Sequence, residues 1–171
     1  MTAARLPDRH APDLVEPLVG YRHWALRDEA LWSPFFDYRW ERGVNTATCT
    51  CAGDHPESPP GRACLCGLHA WYRPCPRLGY AIPELVGGAV VLWGEVELHP
   101  TGMRASHAAV VALVLPLPGT RKRRRVIDVA DAQEVDVVPA RQLAATALRH
   151  GLPIATKLVP DARGAPGQGC A

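Results

Sequence analysis

The chain has 171 residues and a mass of 18.5 kDa, room for one domain or for one domain with a small appendage. Apolar residues make up 47% and charged residues 21%, ordinary globular usage that excludes wholesale disorder, collagen and a coiled coil. The formal charge of +2 gives no polyelectrolyte character, so net charge supports neither nucleic-acid nor membrane binding.

Residues 1–18 are polar, carry Pro7, Pro12 and Pro17, and read as a flexible N-terminal tail. No apolar run of signal-peptide length follows the charged stretch Met1 to Arg9. The longest apolar stretches, Gly87 to Trp93 and Ala108 to Leu117, fall short of the ~20 residues that cross a bilayer. The expected location is the cytoplasm, with no membrane partner. Thiols stay reduced there, so the six cysteines point to metal or redox chemistry before disulfides.

Residues 19–160 are expected to form a single α+β domain. Tyr21, Trp24, Trp32, Phe35, Phe36, Tyr38 and Trp40 crowd its start and read as core packing on short strands and turns. Residues 41–80 show almost no periodicity and hold five of the six cysteines, together with prolines from Pro56 to Pro76. So long an irregular insert inside a compact domain needs a staple, and a metal would supply it. Val86 to Leu98 reads as a strand in which Gly94 marks a bulge or a close backbone approach. His99-Pro100-Thr101-Gly102 is a turn signal, and Met103 to Leu115 reads as the returning strand of a hairpin, with a short helix over Ala105 to Val114 as the alternative.

Residues 118–125, with Arg121, Lys122, Arg123, Arg124 and Arg125, read as a basic loop. Such a run can grip phosphate, although arginine is abundant throughout this chain and a solvated loop explains it as well. Val126 to Val129 and Glu134 to Val138 look like short strands. Pro139 to His150 reads as a helix, with Pro139 at its start, a stripe of Ala140, Leu143, Ala144, Ala147 and Leu148, and Gly151 as its stop. Residues 161–171 are rich in Gly, Ala and Pro and read as a disordered C-terminal tail. The expected architecture is a small, mostly antiparallel sheet or partial barrel with a metal-stapled irregular insert and a C-terminal helix.

Cys49, Cys51 and His55 precede the proline-rich loop, and Cys64, Cys66, His69 and Cys75 follow it. Zinc needs four N or S ligands placed tetrahedrally, and local ligand pairs joined by a longer loop meet that need. The preferred set is Cys49, His55, Cys64 and Cys66, with Cys51, His69 and Cys75 as substitutes and one structural zinc per chain. An iron–sulfur cluster on Cys49, Cys51, Cys64 and Cys66 is the rival, but the usual ferredoxin spacings are absent. His55-Pro56-Glu57 matches half of a zinc-deaminase motif. The other half fails at Leu78, where cysteine is required.

Gly20-Tyr21-Arg22, Trp24, Trp40, Ala47-Thr48-Cys49, His55, Cys64-Leu65-Cys66-Gly67-Leu68, Ala70, Gly94-Glu95-Val96, His99, Gly102 and Arg104-Ala105 together resemble a family of small uncharacterised proteins of actinobacterial type. The resemblance covers about residues 20–108 and implies that Cys49, His55, Cys64 and Cys66 act together. At position 69 the family's usual aromatic Tyr is replaced by His69, which loses that contact or gains a ligand. It implies no activity. The expected role is a zinc-stabilised binding or adaptor protein with a protein partner, ahead of a nucleic-acid-binding protein using residues 121–125 and of a thiol- or metal-dependent enzyme or redox protein.

Overall fold

The computed structural model describes residues 16–51, 58–61, 64–74 and 84–160. Both expected tails lie outside the described residues, apart from residues 16–18. Strands β1 (Leu18–Arg27), β2 (Ala30–Trp32), β3 (Arg39–Trp40), β4 (Asn45–Thr46), β5 (Leu68–Trp71), β6 (Leu85–Leu98), β7 (Gly102–Val114) and β8 (Asp136–Val138) form one mixed sheet. Helices α1 (Arg121–Gln133) and α2 (Leu143–Ala147) are the α-helices among the described residues. The α+β expectation holds at this level. No helix among the described residues is long and apolar enough to cross a membrane.

Three long strands form the frame. β6 pairs antiparallel with β1 on one side and with β7 on the other. β5 then bridges the free edges of β1 and β7, at Tyr21↔Trp71 and Leu68↔Ala105, so the pairings return to their starting strand. The same edge of β7 carries β5, then β4, then β8 in series. A side chain on these strands alternates between two faces, and both are buried. Leu18, Trp24 and Leu26 of β1 face a cluster with Trp40, Val90, Leu113 and the α1 residues Val126, Val129 and Ala130. Val19 and Tyr21 face a second cluster with Val91, Val111 and the α2 residues Leu143 and Ala147.

The expected hairpin forms, and Gly94 is its bulge. Gly94 and Glu95 of β6 stand opposite the single residue Ser106 of β7. Gly94 adopts φ +79°, and a Cβ there would lie 2.2 Å from Ser106 Oγ. The Ser106 hydroxyl accepts from the Glu95 N–H at 3.0 Å and donates to the Trp93 carbonyl at 3.4 Å, satisfying backbone groups that the bulge removes from the ladder.

The loop expected from Pro118 holds through Thr120, but residues 121–129, expected as basic loop and strand, belong to one helix. Thr120 caps α1 by accepting from the Arg123 N–H, and Glu134 ends it in the left-handed region with φ 55°. Val126, Val129 and Ala130 are spaced for one helical face, and burying them on the sheet outweighs the local strand preference of Val126-Ile127. β8 forms as expected, but it lies parallel to β7, with α1 as the crossover. The helix expected at 139–150 begins at Pro139 as a 3-10 turn over Ala140–Gln142 and is α-helical over Leu143–Ala147. Its buried face is Leu143, Thr146 and Ala147, so Ala140, Ala144 and Leu148 of the expected stripe are exposed.

Candidate metal centre

β7 is the ruler that brings the two cysteine pairs together. β4 leaves it at His107, and β5 rejoins it at Ala105. The 47–67 excursion therefore starts and ends almost at one point. Asn45 is buried and stitches the approach, exchanging hydrogen bonds of 2.9 Å with the Glu41 N–H and carbonyl. Ala47 N–H donates to the Ser106 carbonyl at 2.8 Å, which fixes the exit. Cys49 and Cys51 follow directly, and Cys64 and Cys66 stand just before β5.

Buried arginines hold the return. Arg104 of β7 is 3% exposed. Its guanidinium donates to the carbonyls of Cys64 at 2.5 Å, Cys66 at 2.9 Å and Gly61 at 3.1 Å. It also pairs with the Glu97 carboxylate of β6, with Nε at 2.9 Å from Oε2. A side chain with a fixed fork of donors suits this simultaneous grip on several carbonyls and a carboxylate. Arg22 of β1 lies over the Trp40 ring at 4.4 Å and donates to the His69 carbonyl at 3.1 Å. Burial lowers its pKa to about 9.

The four sulfurs of Cys49, Cys51, Cys64 and Cys66 all lie within 4.8 Å of one another. A tetrahedral zinc with ~2.3 Å bonds sets its sulfurs about 3.8 Å apart, so sulfur–sulfur distances need change by no more than about 1 Å. None of the four is in a disulfide. Cys49 and Cys51 are exposed, Cys66 is half-buried and Cys64 is buried. The Thr50 N–H donates to Cys66 Sγ at 3.4 Å, and the Cys51 N–H donates to Cys49 Sγ at 3.4 Å. Cys51 Sγ lies 3.4 Å from Cys66 Sγ. The Thr50 N–H, helped by hydrogen bonds from Cys51, the Thr50 hydroxyl and Cys49, outweighs the opposing effect of burial and brings Cys66 down to about 6. The hydrogen bond to Cys66 pushes Cys51 up to about 12. Backbone N–H groups turned toward sulfur favour thiolate, the form that ligates metal.

Three of the four preferred ligands, Cys49, Cys64 and Cys66, are thus brought together, and Cys51 joins them. His55 and the substitute Cys75 lie outside the described residues. The substitute His69 stands apart from the cluster, its Nε2–H donating to the Leu65 carbonyl at 3.0 Å between the second pair of cysteines. Sequence reasoning missed Arg104 and Glu97 as the posts of the site. Their trace in the sequence is a charged residue on each of two largely apolar strands, Glu97 on β6 and Arg104 on β7. The run at 121–125 turns largely inward. Lys122 donates to the Leu85 carbonyl at 2.5 Å, Arg123 to that of Pro116 at 2.8 Å and Arg125 to that of Leu26 at 2.9 Å. Arg121 and Arg124 remain exposed. No protein-family model, curated protein or solved structure matches the chain.

Proposed function

We propose that the chain is a zinc-stabilised cytoplasmic binding or adaptor protein whose single structural zinc is held by Cys49, Cys51, Cys64 and Cys66. The observation that carries this reading is the convergence of four sulfurs within 4.8 Å. Four thiolates close a tetrahedral ion and leave no position for substrate, which distinguishes a structural site from a catalytic one. An iron–sulfur cluster distributes its thiolates over more than one iron and needs them spread wider than one shared ion does. Zinc therefore fits the compact set better.

In this reading the 19–160 region is a partial barrel, and zinc gives the 47–67 excursion one conformation. That conformation displays Leu65, 83% exposed between two ligands, where a protein partner can reach it. The kinship with small actinobacterial-type proteins is proposed on Cys49, Cys64 and Cys66 of this set, together with His55. Elemental mass spectrometry with an absorption spectrum tests the reading, on untagged protein purified without added metal. One zinc per chain in a colourless sample, lost in Cys64→Ala, is the expected result. Iron with sulfide in a coloured sample, or no metal, overturns it.

A further inference from the structure

We propose that Cys51 and Cys66 are an oxidisable pair, linked by a hydroperoxide into a disulfide that expels the metal. The inference rests on the zinc reading for its second half only. Cys51 is exposed and Cys66 half-buried, so a small oxidant reaches the pair. Across the loop Cys51 Sγ lies 3.4 Å from Cys66 Sγ, and a disulfide bond of ~2.05 Å requires the two to close by only about 1.4 Å. Cys64 is buried. A bond between Cys49 and Cys51 would have to close across Thr50 alone, whose N–H and hydroxyl are both turned to Cys66.

The Cys66 thiolate attacks the peroxide oxygen, the O–O bond breaks, and a sulfenic acid and hydroxide result. The Cys51 sulfur then attacks that sulfenic sulfur, forming S–S, and its proton leaves with the departing oxygen as water. One proton from solvent turns the first hydroxide into the second water, and the two sulfurs have lost two electrons to the peroxide. Zinc is left with Cys49 and Cys64 alone and dissociates. Both halves of the loop stay anchored on β7, Cys66 through Arg104 and the exit through Ala47 and Ser106. The sulfurs therefore remain neighbours, which favours the disulfide over further oxidation.

The test treats full-length protein with stoichiometric hydrogen peroxide, once zinc-loaded and once after chelation. A chromogenic chelator reads zinc release, and non-reducing peptide mapping reads the bond. The expected result is a Cys51–Cys66 link in both samples, with one zinc released per link and both effects reversed by a dithiol plus zinc. A Cys49–Cys51 link, a link through Cys75 or Cys170, sulfinic or sulfonic acids without a link, or zinc retained after linkage overturns the proposal. If the protein binds no zinc, the zinc reading fails alone, and the map of the chelated sample still decides whether this pair forms.

Discussion

The cysteine segment at 49–66 and the basic segment at 121–125 each concentrate one kind of reactive or charged side chain, and the fold treats them differently. The cysteines come from both ends of an excursion and point their sulfurs at one another. The basic residues are consecutive, so a helix fans them around its axis. Three of them turn back to strand-end carbonyls, and Arg121 and Arg124 face solvent. Convergence of side chains from distant positions makes a site. Density along the chain makes one only if the local geometry keeps the side chains together.

That contrast is open to direct attack. The largest effect is expected from Cys64→Ala, which should abolish zinc binding. It should destabilise the protein by on the order of 5 kcal/mol, lowering Tm by roughly 10–20 °C. Differential scanning calorimetry alongside metal analysis checks this, and an unchanged Tm would detach the cysteines from stability. Next is Arg104→Met, which leaves the buried Glu97 carboxylate with His99 alone, 3.6 Å away, and the Cys64, Cys66 and Gly61 carbonyls without their donor. Breaking one partner of such a pair costs about 3–5 kcal/mol. Zinc affinity should fall with it, and Arg104→Met combined with Glu97→Met should recover part of the denaturation midpoint.

Smaller effects separate the basic residues. Arg125→Ala removes the bond to the Leu26 carbonyl and should cost about 1–2 kcal/mol in urea denaturation, whereas Arg121→Ala and Arg124→Ala should stay within about 0.5 kcal/mol. If all three behave alike, the bond to the Leu26 carbonyl does not set Arg125 apart. Salt-dependent binding to a DNA or RNA duplex, with a slope that falls by about 1 for each of Arg121 and Arg124 removed, would return the run to the functional side. The smallest change is expected from Leu65→Ser, which should leave zinc content and Tm as they are, because its side chain contributes little burial. A large drop in Tm would show that Leu65 packs rather than displays.

Much of this was legible in advance, where local pattern and final environment agree. The β6–β7 hairpin follows from two long apolar runs around His99-Pro100-Thr101-Gly102, and its bulge from Gly94. The need for a staple follows from five thiols in an aperiodic segment. α1 was not legible as a helix, because Val126-Ile127-Asp128-Val129 reads as strand until the sheet offers a face for Val126, Val129 and Ala130. The inclusion of Cys51 was not legible either, because a single-residue spacing from Cys49 does not say whether both sulfurs turn to one point.

Local pattern alone sets an apolar hairpin core and a thiol-rich segment without periodicity. Those properties are local: periodicity, turn chemistry and residue type. The tertiary structure decided that Cys51 belongs with Cys49, Cys64 and Cys66, that Arg104 and Glu97 hold the loop, and that Lys122, Arg123 and Arg125 serve the fold. Each of these depends on which strands share an edge of β7 and which carbonyls lie within reach. Long-range pairing sets those distances, and no stretch of sequence contains them.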